Sequence, residues 1–157
     1  TVSMMKKTFT LIIFLFLTSC GYEAIHSKNN AVNTGFSINK LNFIGDRDIN
    51  LRIKSKLNNY TLKKKNTNFS LIISSNAMRL VSAKNRSGDP ISFQSIVTIN
   101  VVVLMDNNNK NNLKIVEIFN YNNNNNKFNL KKYEREIRNN LAETITEKLI
   151  FKLSNIK

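Results

Sequence analysis

Residues 91–103 have the sequence ISFQSIVTINVVV, and this stretch decides the fold class. Side chains of a β-strand point alternately to opposite faces, and β-branched residues such as Val and Ile favour strands. The apolar residues that share one face here are Ile91, Phe93, Val97, Ile99, Val101 and Val103. We therefore predict a long strand over residues 91–103.

Turn sequences flank this strand on both sides. SAKNRSGDP at 82–90 and DNNNKNN at 106–112 are rich in residues that favour turns. Alternation before the first turn predicts a strand from 69 to 77 that continues toward 81, and residues 113–121 are predicted as a further strand. The residues that share a face are Phe69, Leu71, Ile73 and Ala77 in the earlier strand, and Ile115 and Phe119 in the later one.

The segment before these strands predicts one more strand and then a helix. Residues 35–44, GFSINKLNFI, alternate with a phase slip near Asn39, which indicates a strand with an irregularity. Gly45 breaks this strand, and either Asp46 or Asp48 can cap a following helix. The residues that form one apolar face at helical spacing are Ile49, Ile53, Leu57 and Tyr60.

The carboxyl-terminal segment is the clearest helix in the sequence. Because an α-helix has 3.6 residues per turn, an apolar stripe with a spacing of four winds slowly around it. From about Asn129 onward this stripe consists of Tyr133, Ile137, Leu141, Ile145, Leu149 and Leu153. Ile150 and Phe151 are expected to broaden the stripe, and Glu134 and Arg138 are spaced to pair weakly on the polar side.

The predicted order of elements is strand, helix, three strands, helix. Amphipathic helices bury their apolar faces by covering one face of a sheet. We therefore predict an α+β fold, a two-layer sandwich in which two helices pack on a mostly antiparallel four-stranded sheet (β-α-β-β-β-α). This domain is expected to span residues 35–157.

A short apolar run precedes the predicted domain. Lys6 and Lys7 form a basic start, residues 9–17 are apolar, and small residues follow, which is the layout of an export signal. The run has about half of the roughly 20 apolar residues that a membrane-spanning helix needs. A helix buried in a globular core would have a polar face, and this run has none. We predict a signal peptide over residues 1–19.

The only cysteine in the chain follows this run. Leu17, Thr18, Ser19 and Cys20 resemble the bacterial lipobox, which implies a diacylglyceryl group on the Cys20 sulfur and cleavage after Ser19. Two or more acyl chains, such as palmitate, anchor a protein stably to a membrane. Acylation also accounts for an unpaired cysteine in an exported protein. Residues 20–34 are then a lipidated amino terminus and tether.

The chain is strongly basic, with a formal charge of +14 and a pI of about 10.1. Without residues 1–19 it has 22 basic and 10 acidic residues, a net charge of +12. Such a balance indicates an anionic partner, although export argues against nucleic acid. Gly21, in place of an aspartate after the lipidated cysteine, favours the outer membrane, with the domain on its periplasmic side.

Residues suited to catalysis or metal binding are scarce in this sequence. His26 is the only histidine and lies in the tether, without a second histidine or cysteine close by that would suit a metal. A catalytic triad of the Ser-His-Asp type is not expected either, because the only histidine lies in the tether. Asp46 and Asp48 resemble helix caps, and Glu134 and Glu136 are predicted on the polar face of a helix. We expect no enzyme, no metal and no cofactor.

Three short pieces combine with the order of elements to resemble a known family. They are Cys20-Gly21-Tyr22, Gly45-Asp46-Arg47 and Lys131-Lys132-Tyr133-Glu134. Together they resemble the lipopolysaccharide-assembly lipoproteins of the LptE family, especially its short alphaproteobacterial forms. In that family the lipoprotein lies inside a large outer-membrane β-barrel, LptD, assists the assembly of that barrel and binds lipopolysaccharide. The resemblance implies the same fold, partners and non-catalytic role here.

The resemblance also implies where lipopolysaccharide binds, because the family uses exposed basic residues of the sheet region. By position, Lys84 and Arg86 are the best candidates, with Arg79 and Lys127 behind them. Arg binds anions through a planar fork, and Lys binds them as a point charge. An ordinary solvated basic turn is the alternative interpretation of these residues. The alternative for the whole protein is another small lipoprotein, a pilotin or scaffold module that does not bind lipopolysaccharide.

Overall fold

The computed structural model describes residues 35–61, 65, 67–105 and 109–156, which belong to one compact unit spanning residues 33–157. The elements are β1 (Phe36–Gly45), α1 (Arg47–Leu57), a 3₁₀ turn (Asn58–Tyr60), β2 (Thr67–Lys84), β3 (Pro90–Met105), β4 (Lys110–Asn122) and α2 (Lys127–Ser154). The predicted α+β class and order of elements are confirmed. The signal peptide predicted at 1–19 and the tether predicted at 20–34 lie outside the described residues.

The four strands form one mixed sheet in the order β1-β2-β3-β4. β1 is parallel to β2, whereas β2 is antiparallel to β3 and β3 to β4. A parallel pair needs a crossover connection, and α1 lies in that connection. The predicted irregularity near Asn39 is confirmed, since the register of β1 against β2 shifts between Ile38 and Lys40.

One face of the sheet is covered by the two helices, and the core lies between the two layers. α1 contacts β1 and β2, while α2 contacts β3, β4 and α1. On the outside, Lys56 of α1 pairs with Glu143 and Glu147 of α2 at 3.7 and 2.9 Å. The strand residues most deeply buried in this core include Ile38, Phe69, Leu71, Ile73, Val97, Ile99, Val101 and Val103, and the helix residues include Ile49, Ile53, Leu57, Ala142, Ile145, Leu149 and Leu153.

The corner between β1 and α1 explains why the sequence has a glycine at position 45. Gly45 has a φ of +96°, a conformation that residues with a Cβ rarely adopt. A Cβ at this position would lie 2.0 Å from the carbonyl oxygen of Ser75 in β2. The strand therefore reaches the helix through a point that only glycine fits.

Polar side chains of the same corner start α1. Asp46 is the cap, since its carboxylate accepts hydrogen bonds from the backbone N–H groups of Asp48 and Ile49 at 3.0 and 3.1 Å. Asn50 accepts a hydrogen bond of 2.7 Å from the hydroxyl of Ser75, which ties the first turn of α1 to β2. Of the two caps that the sequence allowed, Asp46 is the one used.

Two strands extend further than the sequence predicted. β2 continues to Lys84, so the turn after it contains only residues 85–89. The predicted turn at 110–112 is wrong, because Asn111 and Asn112 pair with β3 as part of β4. Asparagine has a low preference for strands, but pairing with a long neighbouring strand overrides that weak preference.

The predicted stripe of α2 is confirmed at Ile137, Leu141, Ile145, Leu149 and Leu153 but is wrong at Tyr133 and Phe151. Tyr133 is 45% exposed, because the spacing of four has rotated the start of the stripe away from the sheet. Phe151 is 72% exposed, since a residue two positions from Leu149 and Leu153 points to the opposite side of a helix.

Candidate functional site

The outer part of β2 is exposed from Met78 to Ser82. Burial at alternate positions of β2 stops beyond Ala77. We refer to residues 79–93 and 123–128 together as the hairpin end. Its most exposed apolar side chains are Leu80 (45%), Val81 (46%), Ile91 (49%) and Phe128 (77%). The four basic residues nominated from the sequence, Arg79, Lys84, Arg86 and Lys127, all lie in it.

Arg79 is the most constrained of these four basic residues. Its Nε lies 3.0 Å from Oε1 of Glu134 in α2, and its guanidinium carbon lies 3.7 Å from the ring centroid of Phe93. A cation above an aromatic face is attracted by the ring quadrupole. Arg79 is therefore held between an aromatic ring and a carboxylate, and its charge is partly compensated.

The side chain of Glu134 faces the sheet. The prediction that Glu134 lies on the polar side of α2 is therefore wrong. Its side chain is only 14% exposed, and besides Arg79 it accepts a hydrogen bond of 2.8 Å from the hydroxyl of Tyr121. A carboxylate taken out of water needs such partners. The predicted pairing with Arg138 is replaced by this three-residue network, which joins α2 to β2 and β4.

The pKa of Tyr121 is raised to about 12 by its surroundings. Burial is the largest cause, followed by the hydrogen bond to Glu134 and the negative charge of that carboxylate, while Arg79 acts in the opposite direction. The Tyr121 hydroxyl therefore stays protonated at neutral pH and remains a hydrogen-bond donor. The hydrogen bond that it donates to Glu134 joins β4 to α2.

Lys84 and Arg86 lie at the tip of the hairpin, and both are exposed. Backbone and side-chain hydrogen bonds between Asn85 and Asp89 close the turn, with Asn85 N–H to Asp89 O at 2.9 Å and Asp89 N–H to Asn85 Oδ1 at 2.8 Å. Gly88 has a φ of +87° in this turn. Neither Lys84 nor Arg86 has an ion-pair partner among the described residues, so both charges are free to meet an anion.

Arg79 and Lys127 come together in a cavity of about 370 Å³. We call it the cationic cavity. Its other lining residues are Leu80, Val81, Pro90, Phe93 and Asn123. Two cations among apolar walls suit an anionic group that is joined to an apolar chain. The structure thus divides the four nominated residues into a pair in the cationic cavity and a pair at the hairpin tip.

The face of the sheet away from the helices, here called the open face, is a second exposed surface. Met78, Ile96 and Ile118 lie side by side across β2, β3 and β4. Met78 is 45% and Ile118 52% exposed. The four strands contain one acidic residue, Glu117, which lies on the covered side and pairs with Lys148. The lysines in register with open-face positions are Lys40, Lys110 and Lys114.

Several nominated features are not part of the described structure. Cys20 and its lipobox residues Leu17, Thr18 and Ser19 lie outside the described residues, as does His26. Among the residues that are described, no group of three His, Cys, Asp or Glu side chains could hold a metal ion. None of the helices in this part of the chain is long and apolar enough to cross a membrane.

The ion pair between Arg79 and Glu134 was not predicted, although the alternation of β2 indicates that Arg79 has a partner. Arg79 has the same alternation as Leu71, Ile73 and Ala77, which places it on the covered side of the sheet. A charged side chain on that side needs a partner from the facing helix. The pattern could therefore have predicted an acidic partner in α2, but not which residue.

Comparison with known proteins identifies the fold. No protein-family model matches the chain, and no curated protein sequence matches it. Rare lipoprotein B from Shewanella oneidensis superposes with a TM-score of 0.55 at 13% identity over 74% of this chain and 98% of that chain. Lipoprotein B from Nitrosomonas europaea gives 0.53 at 9% identity, over 77% of this chain and 86% of its own.

A third structure extends the comparison to another bacterium. A candidate lipoprotein from Caulobacter crescentus gives a TM-score of 0.51 at 12% identity, over 73% of this chain and 87% of that chain. At such low identities the likeness lies in the arrangement of helices and strands. The chain therefore has the fold of these bacterial lipoproteins.

Proposed function

We propose that this protein is an outer-membrane lipoprotein of the LptE type. In this role it plugs an LptD-type β-barrel, assists the assembly of that barrel and helps deliver lipopolysaccharide to the outer leaflet. The observation that carries the proposal is the hairpin end, where four cations lie beside exposed apolar side chains. The fold supports it, since the structures that superpose on this chain are bacterial lipoproteins.

The chemistry of the hairpin end matches an anionic amphiphile. Lipid A carries phosphates next to its acyl chains, so a binding surface needs cations next to apolar groups. Lys84 and Arg86 have no ion-pair partner among the described residues, and Lys127 lines the cationic cavity. Leu80 and Val81 supply apolar walls to that cavity, and Ile91 is exposed in β3 close to the hairpin turn. Arg79 contributes less free charge, because it already pairs with Glu134.

The proposed anchor is the acylated Cys20, with Leu17, Thr18 and Ser19 as the sequence that the processing enzyme reads. Acyl chains on that residue would hold the domain on the periplasmic side of the outer membrane. A non-catalytic role agrees with the ionisable groups of the site. Glu134 is committed to Arg79 and Tyr121, and Tyr121 is held in its protonated form.

The barrel partner is proposed to meet the open face. Met78 and Ile118 are exposed on either side of the half-buried Ile96 and form an apolar row across three strands, and contiguous apolar patches mark interaction sites. Because this face of the four strands has lysines and no acidic side chain, it favours a partner surface that carries negative charge beside apolar groups.

Reversing the charge of the free cations tests lipopolysaccharide binding. Lys84→Glu with Arg86→Glu is expected to weaken the binding of purified lipopolysaccharide about tenfold at low salt, and wild-type binding should weaken as salt rises because exposed charges are screened. Arg47→Glu with Lys54→Glu is the matched control, since both lie exposed on α1 and change the charge equally. Equal affinities for the two double variants would argue against the hairpin end as the site.

Replacing the proposed anchor tests localisation independently of binding. Cys20→Ala is expected to remain as an uncleaved precursor in the inner membrane, and mass spectrometry of the wild type should find an acylated amino terminus at Cys20. A wild-type protein without acyl groups would rule out the lipoprotein assignment. Co-purification of a large β-barrel with the wild type from outer membranes would support the LptD-type partner.

The open face by itself also favours a second candidate function. A small lipoprotein that acts as a pilotin or scaffold module needs an exposed apolar surface for a protein partner and no lipopolysaccharide site. This candidate predicts that the protein captures a membrane protein and that lipopolysaccharide does not bind at any salt concentration.

A further inference from the structure

A larger cavity, of about 880 Å³, runs around the end of the edge strand β4, lined by Gln94, Asn120 and Asn122 on the open face and by Asn129 and Tyr133 on the side of α2. We call it the amide groove. Its lining contains no charged side chain and is dominated by amides, hydroxyls and two tyrosines. The residues on which the argument rests are Gln94, Asn120, Asn122, Asn123, Asn129 and Tyr133.

Several polar groups of the amide groove retain hydrogen-bonding capacity. Gln94 Nε2 donates to Asn120 Oδ1 at 3.0 Å, which leaves the amide N–H₂ of Asn120 as a donor and the carbonyl oxygen of Gln94 as an acceptor. The side chains of Asn122 and Asn129 have no hydrogen-bond partner among the described residues. The groove therefore offers donors and acceptors next to each other.

Other asparagines of the same groove are fixed and form its frame. Asn123 donates from Nδ2 to the carbonyl oxygen of Pro90 at 2.7 Å, and its Oδ1 accepts from the backbone N–H of Asn124 at 2.9 Å. Asn124 Oδ1 accepts from the backbone N–H of Asn126, which in turn caps α2. The asparagines after β4 are thus held in place by specific hydrogen bonds and form one side of the groove.

Tyr133 supplies an aromatic surface to the groove. Its ring is held edge-on to Tyr121, with ring centroids 6.0 Å apart and an angle of 85° between the planes. The side chain of Tyr121 is itself fixed by Glu134. Because Tyr133 is 45% exposed, part of this rigid ring remains open to a ligand.

We propose that the amide groove binds neutral sugar residues. A sugar presents hydroxyl groups that both donate and accept, and a C–H face that packs on an aromatic ring. The amides on the open face pair with the hydroxyls of one sugar, and Tyr133, on the side of α2, offers its ring to a neighbouring sugar of the same chain. An anionic group would find no cation in this lining, and an acyl chain would leave the amides without partners.

The cationic cavity and the amide groove share one wall, since Asn123 lines both of them. A glycolipid can therefore place a phosphate of its lipid part against Arg79 and Lys127 and the core sugars beyond that part in the amide groove. The assignment of these sugars to lipopolysaccharide rests on the proposed function. The assignment of the groove to a saccharide rests on its lining alone.

Sugar-bearing and sugar-poor probes distinguish the two cavities. The full chain in detergent is titrated with intact lipopolysaccharide, with lipid A, and with the oligosaccharide released from lipopolysaccharide. Gln94→Ala with Asn120→Ala is expected to weaken intact lipopolysaccharide about tenfold, to abolish measurable binding of the oligosaccharide, and to leave lipid A within about twofold. Asn76→Ala with Asn100→Ala is the matched control, since both are exposed strand asparagines outside the groove.

The possible outcomes separate this inference from the proposed function. Unchanged binding of the oligosaccharide and of intact lipopolysaccharide by the Gln94/Asn120 variant would overturn the sugar site, provided that its thermal unfolding matches that of the wild type. Wild-type binding of lipid A without any binding of the oligosaccharide would also overturn it and would leave the proposed function standing. Binding of peptidoglycan glycan fragments alone, lost in the variant, would confirm a saccharide groove and reject the lipopolysaccharide role.

Discussion

The covered half of the sheet and the hairpin end are made from the same two strands, yet they have opposite surroundings. In the covered half, residues 67–77 of β2 and 95–105 of β3, every second side chain is buried, and Phe69, Leu71 and Ile73 are at most 1% exposed. In the hairpin end, the residues of β2 on the same side of the sheet are Arg79 and Val81, and Val81 is 46% exposed. Alternation decides which side a residue faces, but only a covering helix decides whether it is buried.

The two regions are therefore stabilised differently. Hydrophobic burial under α1 and α2 holds the covered half together. At the boundary with the hairpin end, the polar network of Arg79, Glu134 and Tyr121 takes over, and beyond it the side chains are available to ligands. Stability should thus be concentrated in one half of β2 and β3, and binding in the other.

The largest expected difference comes from placing a charge on the same strand in each region. Ile73→Asp puts an unpaired carboxylate at a position that is 0% exposed, and we expect it to cost more than about 4 kcal/mol and to unfold the domain. Val81→Asp, on the same side of β2, should change the free energy of unfolding by less than about 1 kcal/mol. Urea denaturation followed by circular dichroism measures the stability of both variants. Similar unfolding midpoints for the two would contradict the expected difference between the regions.

A smaller difference is expected between the two glycines with positive φ. Gly45→Ala strains the backbone and brings a Cβ to 2.0 Å from Ser75 O, so we expect a loss of about 3 kcal/mol. Gly88→Ala, in the hairpin turn, meets nothing within 4 Å and should cost only the roughly 1–2 kcal/mol of a left-handed conformation. Thermal unfolding of the two variants tests the ranking, and a Gly88 variant less stable than the Gly45 variant would contradict it.

The smallest effect concerns the boundary between the two regions and appears only at high pH. The pKa of Tyr121 is about 12 in the folded protein and is near its ordinary value of 10.0 when unfolded. The unfolded chain therefore loses this proton first, so the contribution of Tyr121 is constant below pH 10 and declines between about pH 10 and 12.

Two variants isolate this contribution to the pH dependence. Tyr121→Phe removes the titrating group, so its free energy of unfolding should decline less than that of the wild type over the same pH range. Glu134→Gln removes the neighbouring negative charge, and the pKa of Tyr121 should fall toward its ordinary value. Identical pH profiles for the wild type and Tyr121→Phe would show that the network does not shift this group.

Much of the fold could be predicted because it depends on local periodicity. The strand at 91–103, the irregularity of β1 near Asn39 and the central part of the α2 stripe are all visible as spacing along the chain. The errors occur at residues whose structure depends on contact with another strand or helix. Asn111 and Asn112 are strand residues because β3 lies beside them, and Tyr133 and Phe151 lie at positions of α2 that the sheet does not cover.

The candidate site was less accessible to sequence reasoning. Lys84, Arg86, Arg79 and Lys127 could be nominated by position, but the sequence could not divide them into a hairpin tip and a cationic cavity. The run of asparagines at 122–126 has no periodic pattern from which the sequence could predict a role. Their role as a helix cap and as the wall of the amide groove depends on hydrogen bonds to Pro90 and to the start of α2.

By itself, the sequence determined the α+β class, the order of elements and the glycine break at position 45, because each depends on residues close together in the chain. Only the tertiary structure decided that residues 79, 93, 121 and 134 meet. Contacts between such distant positions depend on strand register and on the angle at which α2 crosses the sheet. No local sequence pattern determines either of these.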